Sequence, residues 1–147
     1  MALGSFVTTP PFTQTWADAF RVAINSDASY REAAGSWSTP LALVLDDGAP
    51  VGLIGPVALE LAIEGGVCTM ARIISPDACT APFVFRASYD VWRDIMRGAL
   101  DPVGAVLKGS MTLTGPIGSI MRHARAIKAL VYCAQAVPTL YPDEPGA

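Results

Sequence analysis

The sequence predicts a domain of mixed α and β structure, with helices laid over one apolar face of a sheet. Three observations predict it. The stretch "VALELAIEGGVCTMARII" alternates Val57, Leu59, Leu61 and Ile63 with Ala58, Glu60, Ala62 and Glu64, then reaches Gly65-Gly66. That is the pattern of a half-buried strand entering a tight hairpin. Segments with helical spacing and capping residues recur on both sides of it. Hydrophobic residues make up 52% of the chain and charged residues 16%. This is more apolar material than a small core consumes, so the excess lines a cavity or faces a partner or a membrane. The 147 residues suit one domain. It is placed at 12–137, between Pro-containing tails, 1–11 and 138–147, that are expected to be loosely held.

The elements follow in order. "TWADAFRVAINS" sets Trp16, Phe20, Ala23 and Ile24 at helical spacing, with Thr15 as cap and Asp18 in the first turn. "ASYREAAGS" is a second helix behind Asp27. After Trp37, Pro40 opens the apolar strand "LALVL", which "DDG" ends. Pairing across Gly65-Gly66 puts Ile63 opposite Cys68 and Leu61 opposite Met70, with Glu60, Glu64 and Thr69 on the solvated face. "APFVFRAS" is a further strand. It leads into the helix "SYDVWRDIMRG", with Ser88 as cap and Gly98 as stop. Asp101 caps the next helix, Pro102 takes its first position and Gly109 ends it. "SMTLT" is a short strand. Gly115-Pro116 then opens the longest helix, 116–136, whose apolar face runs through Ile117, Ile120, Met121, Ala124, Ile127, Leu130, Val131 and Ala134, opposite Arg122 and Arg125. In its second half the far side, Ala129, Cys133 and Ala136, is small rather than charged. That predicts cover on both sides: the domain on one, and a second subunit or a loop on the other. A homo-oligomer formed through 129–136 would supply the former.

Several kinds of chemistry are excluded. The net charge is −3 and no dense basic patch exists, so nucleic acid is not an expected partner. Cys68, Cys79 and Cys133 are far apart and His123 is the only histidine, so neither a metal site nor a disulfide framework is indicated. The thiols suit a cytoplasmic setting. No cofactor is expected. No run of about 18 apolar residues suggests a membrane span. "MALGSFVTTPPF" does not look like a signal peptide, and "YPDEPGA" is not a peroxisomal address. Lys108-Gly109-Ser110 has the wrong order for a phosphate loop. Asp90 and Asp94 interleave with Arg93 and Arg97 and read as surface pairs. His123 reads as a satisfied residue at a helix edge, or alternatively as one polar group in an apolar cavity, bonded to a ligand headgroup. Met70, Met96, Met111 and Met121 read as core fillers or as an adaptable ligand lining.

The stretch "VWRDIMRGALDPVGAVLKGSMTLTGPIGSIM" resembles the signature region of the sterol carrier protein type 2 domain family. That family shows a Trp-containing helix and a glycine, then Leu-Asp-Pro, an apolar helix, a glycine, a short alternating strand, another glycine and a long final helix. Here these are Trp92, Gly98, Leu100-Asp101-Pro102, Val106-Leu107, Gly109, Met111-Leu113, Gly115 and the helix from Pro116. The likeness is strongest over 81–131 and extends more loosely over 12–79. It implies an α/β (α+β) fold: a five-stranded, mainly antiparallel sheet, helices covering one face, and an apolar tunnel between. It also implies non-enzymatic binding and transfer of a lipid, such as a fatty acid, fatty acyl-CoA, phospholipid or sterol-like ligand, with transient membrane contact. The candidate cavity residues are Met70, Phe83 and Phe85 on strands, and Trp92, Ile95, Met96 and Leu107 on the middle helices. Met111 and Leu113 join them from the last strand, and Ile117, Met121, His123 and Ile127 from the final helix. Two other functions compete: an interaction module with a closed core that oligomerises through the C-terminal helix, and an enzyme using His123 on an acyl substrate.

Overall fold

The computed structural model describes residues 8–141. In chain order it forms α1 (Gln14–Asn25), α2 (Ala28–Ala34), β1 (Thr39–Leu45), β2 (Val57–Glu64), β3 (Val67–Ile74), β4 (Phe83–Ala87), α3 (Tyr89–Met96), α4 (Pro102–Lys108), β5 (Thr112–Thr114), α5 (Ile117–Arg122) and α6 (Ala124–Gln135). The strands lie in one open sheet in the order β3-β2-β1-β4-β5. All neighbours are antiparallel except β1 and β4, which run parallel. The hairpin β2–β3 takes one side of β1. The connection 75–82 then carries the chain back to the other side in the same direction as β1.

Residues directly opposite one another share a face of the sheet. The inner face therefore carries Leu41, Leu43 and Leu45 of β1, Leu59 and Leu61 of β2, and Phe83 and Phe85 of β4. The even alternation predicted Leu61 opposite Met70, but the register shifts at Ala62/Ile63. Ile63 does face Cys68, whereas Leu61 faces Ala71 and Ala62 faces Met70. Thr69 is the extra residue of a bulge, and its hydroxyl donates to the Ala62 carbonyl at 3.3 Å. The bulge turns Met70 to the outer face. Glu60 is on that outer face too, yet it is only 4% exposed rather than solvated. Arg72, directly opposite, donates to one Glu60 carboxylate oxygen from Nη2 at 2.7 Å and from Nε at 3.0 Å.

α1 begins one residue after Thr13, which caps it in place of Thr15, so Asp18 lies beyond the first turn and accepts from Gln14 instead. The helix buries Trp16, Ala17, Phe20 and Ile24 and lies along β3. Its polar side chains complete the free edge of that strand. Gln14 donates to Ala71 O and accepts from Ile73 N, both at 3.0 Å. Asn25 accepts from Cys68 N at 2.8 Å and donates to Cys68 O at 2.9 Å. Backbone groups that would otherwise template another strand are thereby satisfied. The caps Asp27, Ser88 and Asp101 are in place, and Gly109 closes α4 in the left-handed conformation at φ 81°.

The single helix expected over 116–136 is broken at His123, where φ is −110° and ψ is 24°. The His123 ring bonds back to Ser119 O at 2.8 Å and stacks on Trp37 with centroids 4.4 Å apart. These contacts tie the ring at the break to the preceding turn and to a neighbouring indole. The second cover over 129–136 comes from this chain itself. α2 packs on α6, and Cys133 Sγ donates to Asp27 Oδ2 at 3.5 Å.

Residues 1–7 and 142–147, the outer parts of the tails, lie outside the described residues. The inner parts are tied together. Thr9 bridges Thr139, Leu140 N donates to Thr9 O at 2.9 Å, and Pro11 is fully buried.

Candidate functional site

Between the sheet and the helices lies an apolar cavity of about 60 Å³. Its floor is Leu41 and Leu43 of β1, Leu59 of β2 and Phe85 of β4. One wall is Phe12 with Trp16 and Phe20 of α1, and another is Trp92, Ile95 and Met96 of α3. Pro102, at the start of α4, and Met111, just before β5, close one end. Ile127, Leu130, Val131 and Ala134 bring α6 across the top at helical spacing.

Only apolar atoms reach the cavity surface. The two indoles on its walls could have supplied donors, but both are engaged elsewhere. Trp16 Nε1 donates to Thr139 Oγ1 and Trp92 Nε1 to Val44 O, each at 2.9 Å. Phe12 meets Trp92 edge to face at 5.7 Å and adopts φ 63°, a conformation costly for a residue with a Cβ. The buried pairings around it hold it there. No titratable group lines the cavity. The nucleophiles nearest in the core are held protonated: burial raises the Cys68 thiol, and burial with Asp27 alongside raises Cys133 to about 12. Among the described residues no His, Cys, Asp and Glu cluster could hold a metal. What such a cavity can do chemically is accept hydrocarbon.

A crystal structure of sterol carrier protein 2 matches this fold with a TM-score of 0.81 and 31% identity, over 86% of this chain and 98% of that one. The chain belongs to the sterol carrier protein 2 family. A conserved hypothetical protein of Thermus thermophilus matches at TM-score 0.80 and 28% identity, covering 91% of this chain and 97% of its own. The apo form of sterol carrier protein 2 from Yarrowia lipolytica shares the fold at TM-score 0.54 and 15% identity, over 92% and 98% of the two chains. No protein-family model and no curated protein sequence matches the chain.

Within this sterol carrier protein 2 fold the predicted site residues divide. Phe85, Trp92, Ile95, Met96, Met111 and Ile127 are brought together around the cavity. Phe83 is buried on the same face of the sheet but toward Gly115, and Leu113 is half-buried on the edge strand beside Phe85. Met70 is on the outer face because of the bulge. Leu107 is 66%, Ile117 43% and Met121 48% exposed. On α5 only Ile120 is buried, while Ile117 and Met121 face outward. His123 itself is half-buried against Trp37, outside the lining. Sequence reasoning missed Phe12, the α1 aromatics and the leucines of β1 and β2. Their spacing marked them as core, and the same spacing serves core and lining alike. Phe12 gave no signal, since its segment borders a Pro-rich tail.

Proposed function

We propose that this chain binds a lipid by its hydrocarbon chain in the apolar cavity and carries it, with no chemistry of its own, in the cytoplasm. The observation that supports this most is a cavity walled by seven elements of the fold and lacking any polar atom. A fatty acid, fatty acyl-CoA or phospholipid fits that surface with its headgroup left outside. Burying a dozen methylenes contributes on the order of 10 kcal/mol before ordering costs. That is ample for micromolar affinity with little discrimination among headgroups. At about 60 Å³ the cavity is well below the roughly 150 Å³ that holds one benzene in a known engineered case. Entry of an acyl chain therefore requires the walls to part, and Met96 and Met111, with their flexible unbranched side chains, are suited to refilling the space. The three free thiols agree with a reducing compartment.

Mass spectrometry of an organic extract of the purified protein, paired with displacement of a fluorescent fatty acid, tests this reading. A stoichiometric co-purified lipid and saturable displacement are expected. Met111→Glu, which puts a carboxylate into the lining, should reduce uptake at least tenfold while the protein still folds. Absence of both lipid and displacement would dispose of carriage.

A further inference from the structure

We propose that Phe12 is the gate of the cavity: its ring closes the wall between the start of α1 and α3, and an acyl chain enters as Phe12 turns out of the left-handed backbone region. The inference rests on lipid carriage and adds to it the place where the wall opens. It starts from a residue in a conformation costly for its type. Among the described residues Phe12 is the only one other than glycine with a positive φ, at 63°. It lies in the turn that follows Pro10-Pro11, at a place where Gly or Asn relieves the clash of Cβ with the backbone. Strained residues persist only where their surroundings over-determine them, and they gather at ligand clamps and switch regions. Here the strained residue lines the cavity.

The main walls around it are anchored by hydrogen bonds that opening would break. The floor lies within the ladder of the sheet. Gln14 and Asn25 hold α1 to β3, and Trp92 Nε1 holds α3 to Val44 O of β1. On α6, Gln135 Nε2 donates to Ile95 O at 3.4 Å and Cys133 Sγ donates to Asp27. Phe12 has no such anchor. Among the described residues neither its N–H nor its C=O has a hydrogen-bond partner, and its ring only meets Trp92 edge to face. Rotation of Phe12 therefore breaks no hydrogen bond of its own and releases strain. Met111 is the one other lining residue outside helix and strand, and its N–H is fastened to Ala105 O at 3.2 Å.

The ring is kept in place by the lacing of the two chain ends. Thr9 bridges Thr139, and Leu140 N donates to Thr9 O at 2.9 Å. The second bond of the bridge is weaker, since Thr9 N reaches Pro138 O only at 3.5 Å. Parting of this short bridge frees 8–12 to swing while the helices stay packed.

Stopped-flow uptake of cis-parinaric acid, a linear fluorescent fatty acid, by the full chain tests the gate. Phe12→Gly accepts the same backbone without strain and lacks the ring. Its association and dissociation should both be at least about tenfold faster than the parent's, the factor given by a barrier lower by about 1.4 kcal/mol. A second variant keeps the ring and locks the strap. Thr9→Cys with Thr139→Cys, in a Cys79→Ser background, sets two thiols across the bridge. Strand neighbours stand about 4.8 Å apart, within reach of a disulfide. In the oxidised form both rates should fall at least about tenfold, and dithiothreitol should restore them. The reduced form controls for the bond that Trp16 Nε1 loses with the Thr139 hydroxyl. If Phe12→Gly does not fold, the oxidised and reduced forms of the second variant decide alone. Rates in the oxidised form equal to those in the reduced form would overturn the gate while carriage stands. So would a Phe12→Gly protein whose affinity shifts at an unchanged association rate, which would make Phe12 a lining residue only. Absence of uptake by the parent would instead refute carriage, and the gate with it.

Discussion

Replacing Leu130 by alanine and Ala134 by leucine should move stability and lipid affinity in opposite directions. Both residues project from α6 into the cavity, and both are largely buried. Leu130→Ala removes three carbons from a wall that already has space beside it, so little collapse can compensate. The expected loss is about 3 kcal/mol in the unliganded protein, within the range for buried leucines. The same change enlarges the space an acyl chain must open, so affinity should rise, by about tenfold if roughly 1.4 kcal/mol of that opening is relieved. Ala134→Leu adds three carbons to existing space and should leave stability within about 1 kcal/mol of the parent. Those carbons take the place of about three ligand methylenes, worth roughly 2.4 kcal/mol, or about fiftyfold in affinity. Urea midpoints without lipid and titration with a fluorescent fatty acid measure the two quantities separately. Stabilities that shift as stated while both affinities stay within about threefold of the parent would show that the cavity is not where lipid binds.

Other parts of the fold give further expectations. Asn25→Ala leaves Cys68 N–H without its partner on the edge of β3, while Cys68 O keeps the bond from Arg21 Nε, which should cost about 1–2 kcal/mol and abolish amide protection at Cys68 in hydrogen exchange. Gly115→Ala would place a Cβ 2.7 Å from Pro82 O and 2.8 Å from Phe83 Cδ1 at φ +116°, so a loss above about 2 kcal/mol in urea midpoint experiments is expected. Burial raises Cys133, Cys68 and Tyr30, so the unfolded chain releases these protons first. Stability should be full below about pH 9 and fall as pH rises toward 12, by about 1.4 kcal/mol per pH unit for each group titrating. Cys133→Ala should flatten that decline, and an unchanged slope would refute the assignment.

The features visible in the sequence are those decided within a few residues. Asp27, Ser88 and Asp101 announce helix starts because a short polar side chain can reach a backbone N–H three residues on. The strand Val57–Glu64 announces itself by alternation. What stayed hidden depends on partners distant in the chain. The bulge at Ala62/Ile63 follows from how β3 meets β2, and it decides that Ala71 rather than Met70 faces inward. The place of β4 beside β1 follows from the hairpin having occupied the other side of β1, and its parallel direction from the crossover 75–82. For the site the limit is different. A residue that lines a cavity and one that fills a core satisfy the same periodicity, so Met96 and Met111 could be proposed while Leu41 and Phe20 were not singled out. Phe12 belongs to the site only because Thr9 bridges Thr139 and draws its segment against α3.

His123 stands between the part of 116–136 that walls the cavity and the part whose apolar side chains reach the surface. Along an unbroken helix, at about 100° per residue, Met121 would lie about 180° from Leu130 and about 120° from Ile127, on the side away from the cavity. α6 keeps its apolar face over the cavity, and α5 presents Ile117 and Met121 outward. A carbonyl can only accept, so the bond to Ser119 O fixes the proton on Nδ1. That leaves Nε2 as the one free polar atom of the ring, the atom a ligand headgroup would have to use. His123→Ala removes the stack on Trp37 and this bond, worth about 1.5–2.5 kcal/mol together. The cavity lining is untouched by the change, so fatty-acid affinity should stay within about threefold of the parent while the urea midpoint falls. A large loss of affinity with little loss of stability would refute this. It would make His123 the headgroup partner that the sequence left open, and would place the mouth of the cavity on the Trp37 side of α6.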